Sequence, residues 1–230
     1  MPWKKITRGD FEHILEILEK RYGRRRPDHV RNRDPFQVLV GAMLSHKTRD
    51  EMTDKAHEAL FKRFPTIREI ASADVREIAR LIKPVGFYRV KARRIKKVAE
   101  ILLERWGGHV PKDRKELLKL PGVGDKTADI VLSAAYGLPE IAIDTHVDAI
   151  AKRLGIAEKD DGYMEVKRKL EELTPVETRS RVNALLVGFG KEICRSPKPR
   201  CEVCPIKSYC RYYSERKPSS SRSEQSPRTL

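Results

Sequence analysis

Nowhere does the chain alternate apolar and polar residues for the length of a strand; its apolar residues recur at helical spacing instead. That pattern removes sheets and barrels from consideration and predicts an all-α fold. Phe11, Ile14, Leu15, Leu18 and Tyr22 share one face of a first helix, which Asp10 can cap and Gly23 can end. Asp34 and Pro35 read as N-cap and first helical residue before the apolar run FQVLVGAMLS. Asp50 to Phe64 makes an amphipathic helix closed by Pro65, and Thr66 and Asp74 cap two short helices, the second broken by Pro84-Val85-Gly86. A longer helix runs through VAEILLERW to Gly107-Gly108, and Asp113 starts the short RKELLKL. Further helices are expected over 145–154, 163–173 and 180–192. No internal repeat is present. From Ser214 the chain reads SERKPSSSRSEQSPRTL, with six serines and Leu230 as its one aliphatic residue. Such a composition cannot bury enough apolar surface to order itself, so residues 213–230 are expected to be a disordered tail.

At 230 residues the chain has room for one or two domains with a real core. Its formal net charge of +16, from 49 Lys and Arg against 33 Asp and Glu, suits a polyanionic partner. Nucleic acid fits better than a membrane because no amphipathic basic helix dominates; a charge-rich surface that merely aids solubility or heat stability is the plainer alternative. The opening MPWKKITRGDF holds no apolar run suited to a signal peptide or a spanning helix. A soluble intracellular protein (cytoplasm or nucleoid) is expected, and disulfides are not. Between Lys83 and Lys97 lie seven basic residues and no acid, with Phe87 and Tyr88 at the loop end of that segment.

The stretch from Leu120 to Asp148 carries the densest chemistry. It opens with the hairpin PGVG, and Lys126 follows at the start of an apolar helix. A glycine hairpin that feeds a helix start can bind a phosphate, because the first helical amides lack internal partners. Gly122 and Gly124 let the backbone approach closely while Val123 anchors the turn. After the helix and a GLPE turn comes Asp144, which also reads as an N-cap for THVDAIAKRLG. A capping carboxylate can still present one oxygen to a cleft. A lysine is almost wholly protonated at neutral pH, so it serves as a nucleophile only if a proton leaves as it attacks. His146 either contacts a phosphate backbone or packs.

All four cysteines, Cys194, Cys201, Cys204 and Cys210, lie within 17 residues as C-x6-C-x2-C-x5-C. Four thiolates can hold a structural zinc or a [4Fe–4S] cluster. Zinc sites favour two tight pairs and only Cys201 and Cys204 make one, so the wider arms suit the bulkier cubane. Between the first two cysteines RSPKPR sets Arg195, Lys198 and Arg200 on a proline-stiffened loop that can meet phosphates or simply be solvated.

Taken in order, LPGVGDKTAD, AIDTHV and the cysteine pattern resemble the endonuclease III family of DNA glycosylases. MLSHKTRD, IKPVGFYRVKA and GHVPKDRKEL extend the resemblance over about residues 10 to 212. It implies a two-domain helix-hairpin-helix glycosylase fold, with a six-helix barrel at 31–136 that carries the helix-hairpin-helix at about 113–136. Residues 1–30 and 137–212 would then form a [4Fe–4S] cluster domain. It also implies that Lys126 and Asp144 face one cleft and act on double-stranded DNA bearing damaged bases or abasic sites. The expected activity is bifunctional: removal of oxidised pyrimidines, then strand cleavage 3′ to the abasic site through a Lys126 imine. A uracil or thymine glycosylase acting opposite guanine uses the same scaffold, and a non-catalytic DNA-docking protein is the alternative of another class. Phe87 and Tyr88 are candidates for the wedge that fills the gap left by a flipped base. Where the family commonly carries glutamine for that gap, this chain has His46 and Lys47. Asp125 likewise stands where a basic residue is usual. One active site per chain makes a monomer sufficient.

Overall fold

Helix starts are fixed by short polar side chains that accept the first free amides. The first is Thr7, whose hydroxyl accepts from the Asp10 amide at 3.2 Å while the Asp10 carboxylate accepts from the Thr7 amide at 2.9 Å. Helix α1 (Arg8–Tyr22) therefore begins earlier than a cap at Asp10 would allow. A reciprocal box satisfies two amides where a single cap satisfies one, and this moves Asp10 inside the first turn. Asp34 caps α2 (Pro35–Ser45) through the amides of Phe36 at 2.8 Å and Gln37 at 3.1 Å, with Pro35 at the first position as expected. There follow α3 (Asp50–Arg63), α4 (Ile67–Ser72), α5 (Val75–Leu81), α6 (Tyr88–Trp106), α7 (Arg114–Leu118), α8 (Asp125–Tyr136), α9 (Thr145–Leu154), α10 (Tyr163–Leu173), α11 (Arg179–Glu192) and α12 (Arg211–Glu215). The computed structural model describes residues 3–23 and 34–216. Among the described residues there is no strand, and no helix is long and apolar enough to cross a membrane.

Two separate cores organise these helices. Helices α2 to α8 surround Leu39, Leu60, Ile70, Ile95, Leu102 and Val131, each fully buried. The second core joins α1 from the start of the chain to α9, α10 and α11, around Phe11, Ile14, Leu18, Ile150, Leu170 and Phe189. The chain thus enters one body, leaves to build the other, and returns after α8. Gly137, at φ 66° in the left-handed region, ends α8 and turns the backbone back.

One expectation for the tail needs correction. Residues 213–215 belong to α12 rather than to a disordered segment. Arg211 forks onto both carboxylate oxygens of Glu158, at 2.9 and 3.1 Å, and the Arg153 guanidinium lies 5.6 Å from the centre of the Tyr212 ring. These tertiary contacts order a turn that local composition leaves free. Residues 217–230 and the basic connector RRRPDHVRNR at 24–33 lie outside the described residues.

Because α1 closes the second core from the far end of the chain, Phe11→Ala should act as a deep-core truncation. Its side chain is fully buried, so the expected loss is about 3–5 kcal/mol, read as a lower denaturant midpoint in equilibrium unfolding.

Candidate active site and cysteine loop

The hairpin is built by one turn and one anchor. Val123 donates its amide to the Leu120 carbonyl at 3.1 Å, and its side chain is buried in the first core. Gly122 sits at φ 84°, and a Cβ there would stand 2.7 Å from Cδ of Arg94. A side chain is therefore excluded twice, by backbone conformation and by Arg94. Gly124 is the N-cap residue of α8 and leaves open space beside it. Lys126 follows in the first turn.

Lys126 lines a solvent-open pocket of about 290 Å³ together with Gly122, Gly124, Met43, His46 and Lys91. Arg94 and Tyr163 complete the part of the wall that matters here. Three basic side chains and a histidine, against the single acid Asp125, make the opening a positive cleft, suited to a phosphodiester backbone. Burial, and after it Lys91, Lys47, Lys126 and Arg94, push the His46 imidazole below its ordinary pKa. It is therefore neutral at pH 7.

The loop beyond α2 is held by a lysine that sequence inspection passed over. Lys91 is only 5% exposed, and its ammonium donates to the carbonyls of Leu44 at 2.6 Å and His46 at 2.7 Å, and to the Thr48 hydroxyl at 3.0 Å. A cation on the last carbonyls of a helix offsets its negative end. Burial still pushes this ammonium down to about 8. Its sequence signal was a lysine four residues before Ile95 on the apolar face of α6. The loop fixed in this way holds Lys47 at φ 53°, a conformation rare outside glycine. Facing it, Phe87 has φ 55° and is 65% exposed, with the Lys47 ammonium 5.8 Å from its ring centre. Two non-glycine residues in the left-handed region, side by side on an exposed rim, mark a strained edge. Tyr88 turns the other way and packs against the first core, so Phe87 alone is left as the wedge candidate.

Asp144 is the N-cap of α9, as its position suggested. Its Oδ1 accepts from the amides of His146 at 2.9 Å and Val147 at 2.8 Å, which leaves Oδ2 outside the cap. Among the described residues it makes no ion pair with Lys126, and it does not line the Lys126 pocket. His146 packs: a Cβ on Gly190 of α11 would meet its Nδ1 at 2.7 Å. Asp125, the unusual acid before the lysine, accepts from Arg114 at 2.6 Å.

The four cysteines line one small cavity, with Arg153, Ile193 and Arg200 among its walls. Arg153 holds the loop, donating to the Cys194 carbonyl at 2.8 Å and to its Sγ at 3.2 Å, and to the Arg195 carbonyl at 3.1 Å. Burial raises the Cys194 and Cys210 thiols, and Cys204 to about 11. Thiolates in that cavity need a compensating cation. Among the described residues no three His, Cys, Asp or Glu side chains converge closely enough to hold a single metal ion. Arg195, Lys198 and Arg200 are exposed on the loop.

If burial and the surrounding cations control His46, its ring protons should titrate below about 6.5 in the free protein. Addition of duplex DNA should raise the midpoint by adding negative charge, as followed by histidine-selective NMR.

Residues 40–176 match the family model for HhH-GPD superfamily base excision DNA repair proteins. The endonuclease III of Thermotoga maritima is 42% identical over 203 residues, which is 88% of this chain and 95% of that protein. That of Bacillus subtilis is 40% identical over 178 residues, 77% of this chain and 81% of the relative. A trapped covalent intermediate of an endonuclease III with DNA superposes with a TM-score of 0.83 at 35% identity, covering 92% of this chain and 99% of that one. A thermostable thymine-DNA glycosylase gives 0.80 at 27% identity over 90% and 96%. The chain belongs to the endonuclease III family of HhH-GPD base excision DNA repair proteins.

Proposed function

We propose that this chain removes oxidised pyrimidines from duplex DNA and cuts the strand 3′ to the resulting abasic site. The observation that carries this reading is Lys126 behind the glycine hairpin, inside a cationic cleft whose rim holds an exposed aromatic. The hairpin amides and basic side chains bind backbone phosphates without regard to sequence. Phe87, with Lys47 beside it, enters the space vacated when the damaged nucleotide swings out, and so offsets a flipping cost of a few kcal/mol. His46 stands at the pocket mouth as a neutral donor or acceptor for the extruded base.

The Lys126 amine, having lost a proton, attacks C1′ of the extrahelical nucleotide. The N–C1′ bond forms as the glycosidic bond breaks, and the base departs with that electron pair and takes up a proton. Opening of the sugar then gives the imine. Loss of a C2′ proton expels the 3′ phosphate and cleaves the strand. Asp144, with Oδ2 outside the cap, serves as acceptor for protons and as a negative charge against the positive charge growing on the sugar. The exposed loop cations Arg195, Lys198 and Arg200 are offered to phosphates beyond the lesion.

The division into a barrel at 31–136 and a second domain from 1–30 with 137–212 is part of the same reading, and the two separate cores support it. Cys194, Cys201, Cys204 and Cys210 would hold a [4Fe–4S] cluster. Four thiols around one cavity, spaced with the wide six- and five-residue arms, support a multi-iron group over zinc. When bound, the cluster would supply the positive charge that keeps the buried thiolates ionised and would fix the basic loop in shape.

Borohydride trapping on abasic-site duplex tests the lyase: wild type should form a covalent adduct and Lys126→Ala none. Excision from thymine glycol duplexes should exceed release from G·U or G·T mismatches, and the reverse ranking would make the mismatch glycosylase the better description. Purified protein should contain iron and acid-labile sulfide at about four each per chain; a colourless protein with one zinc would refute the cluster assignment.

A further inference from the structure

Lys126 and Asp144 stand on different helices and make no direct contact, so something must set the distance between them. The buried carboxylate of Asp129 supplies one end of that link. It lies one turn after Lys126 on α8, a spacing that puts both side chains on one face, and it is fully buried. Its Oδ1 accepts from Arg114 at 2.9 Å and its Oδ2 lies 3.0 Å from the Lys167 ammonium. Two cations already neutralise it. The third partner is therefore not needed for charge: the Tyr163 hydroxyl, at the head of α10, donates to Oδ2 at 2.7 Å. The same hydroxyl accepts from the Ile143 amide at 3.2 Å, the residue next to Asp144. The Tyr163 ring also forms part of the pocket wall beside Lys126.

We infer that Tyr163 is a positioning residue, whose hydroxyl ties the helix bearing Lys126 to the segment bearing Asp144 and whose ring walls the nucleotide pocket. The hydroxyl donates on one side and accepts on the other, which requires it to stay protonated. Burial raises its pKa well above the ordinary tyrosine value, so it acts by position and not by proton transfer. Arg114, which also holds Asp125, and Lys167, which pairs with Glu140, keep the interface closed without it. Loss of the hydroxyl should therefore spare folding and change the geometry of the site alone.

The inference rests on Lys126 and Asp144 as the reacting pair. Tyr163→Phe and Tyr163→Leu are compared with wild type by single-turnover borohydride trapping on abasic-site duplex at saturating enzyme. Both should slow imine formation to a similar extent, by roughly ten- to a hundredfold, because near-attack geometry is lost in each. Affinity for a duplex carrying a reduced abasic site should stay within about twofold, since the phosphate contacts are untouched. Only Tyr163→Leu, which also removes the wall, should alter selection among damaged bases. Wild-type trapping rates in Tyr163→Phe, or a rate loss matched by an equal loss of affinity, would overturn the inference. An adduct that persists in Lys126→Ala would instead defeat the reacting pair itself, and the positioning role with it.

Discussion

A carboxylate with no exposed surface is an expensive thing to keep charged, and Asp129 is kept so by three partners drawn from two places in the chain. Arg114 comes from the helix before the hairpin, Tyr163 and Lys167 from α10 in the other core. Removing both cations would leave an uncompensated charge in low dielectric, a loss of several kcal/mol in general. The seam between the two cores is thus specific as well as apolar: the two bodies dock in the one register that satisfies this cluster. Since Lys126 lies one turn away and Asp144 next to a bonded amide, the register of the seam is also the register of the active site.

The same logic recurs on the opposite wall. Lys91 brings a buried ammonium to the end of α2 and uses three oxygen acceptors to pin the loop that displays His46 and Lys47. In the cysteine loop Arg153 plays the equivalent part, gripping the carbonyls of Cys194 and Arg195. In each case a long cationic side chain leaves its own helix and satisfies carbonyls of a loop that has no regular structure of its own. These anchoring cations, Lys91 buried and Arg153 half-buried, supply the rigidity that the functional loops cannot get from hydrogen bonds within themselves. The strain visible at Lys47 and Phe87 is tolerated because these anchors over-determine the rim.

Much of this was legible in the order of residues. Helical periodicity, with Asp and Thr caps at Asp34, Thr66, Asp74 and Asp113, gave helix positions that match the structure to within a few residues, because capping is a local interaction. The exceptions have causes of two kinds: the local box at Thr7 moved one start, and the tertiary fork from Arg211 to Glu158 ordered residues that composition alone would leave loose. PGVG before Lys126 signalled a phosphate-binding turn since glycine spacing and a helix start suffice to make one. The buried charges went unread. A lysine or aspartate on an apolar helix face is visible in sequence, but its partners at Leu44, Tyr163 or Lys167 are distant along the chain.

By itself, then, the sequence determined the helical class, the family, the hairpin with Lys126, the capping position of Asp144 and the four-cysteine spacing. Each depends on residues close together along the chain or on an ordered set of short motifs. Only the tertiary structure decided which side chains stand together. It turned Phe87 outward and Tyr88 inward, packed His146 against Gly190, and set the Tyr163 hydroxyl between Asp129 and Ile143. These outcomes follow from how two cores dock and from which buried charges must find partners, and neither condition can be read from any single stretch of residues.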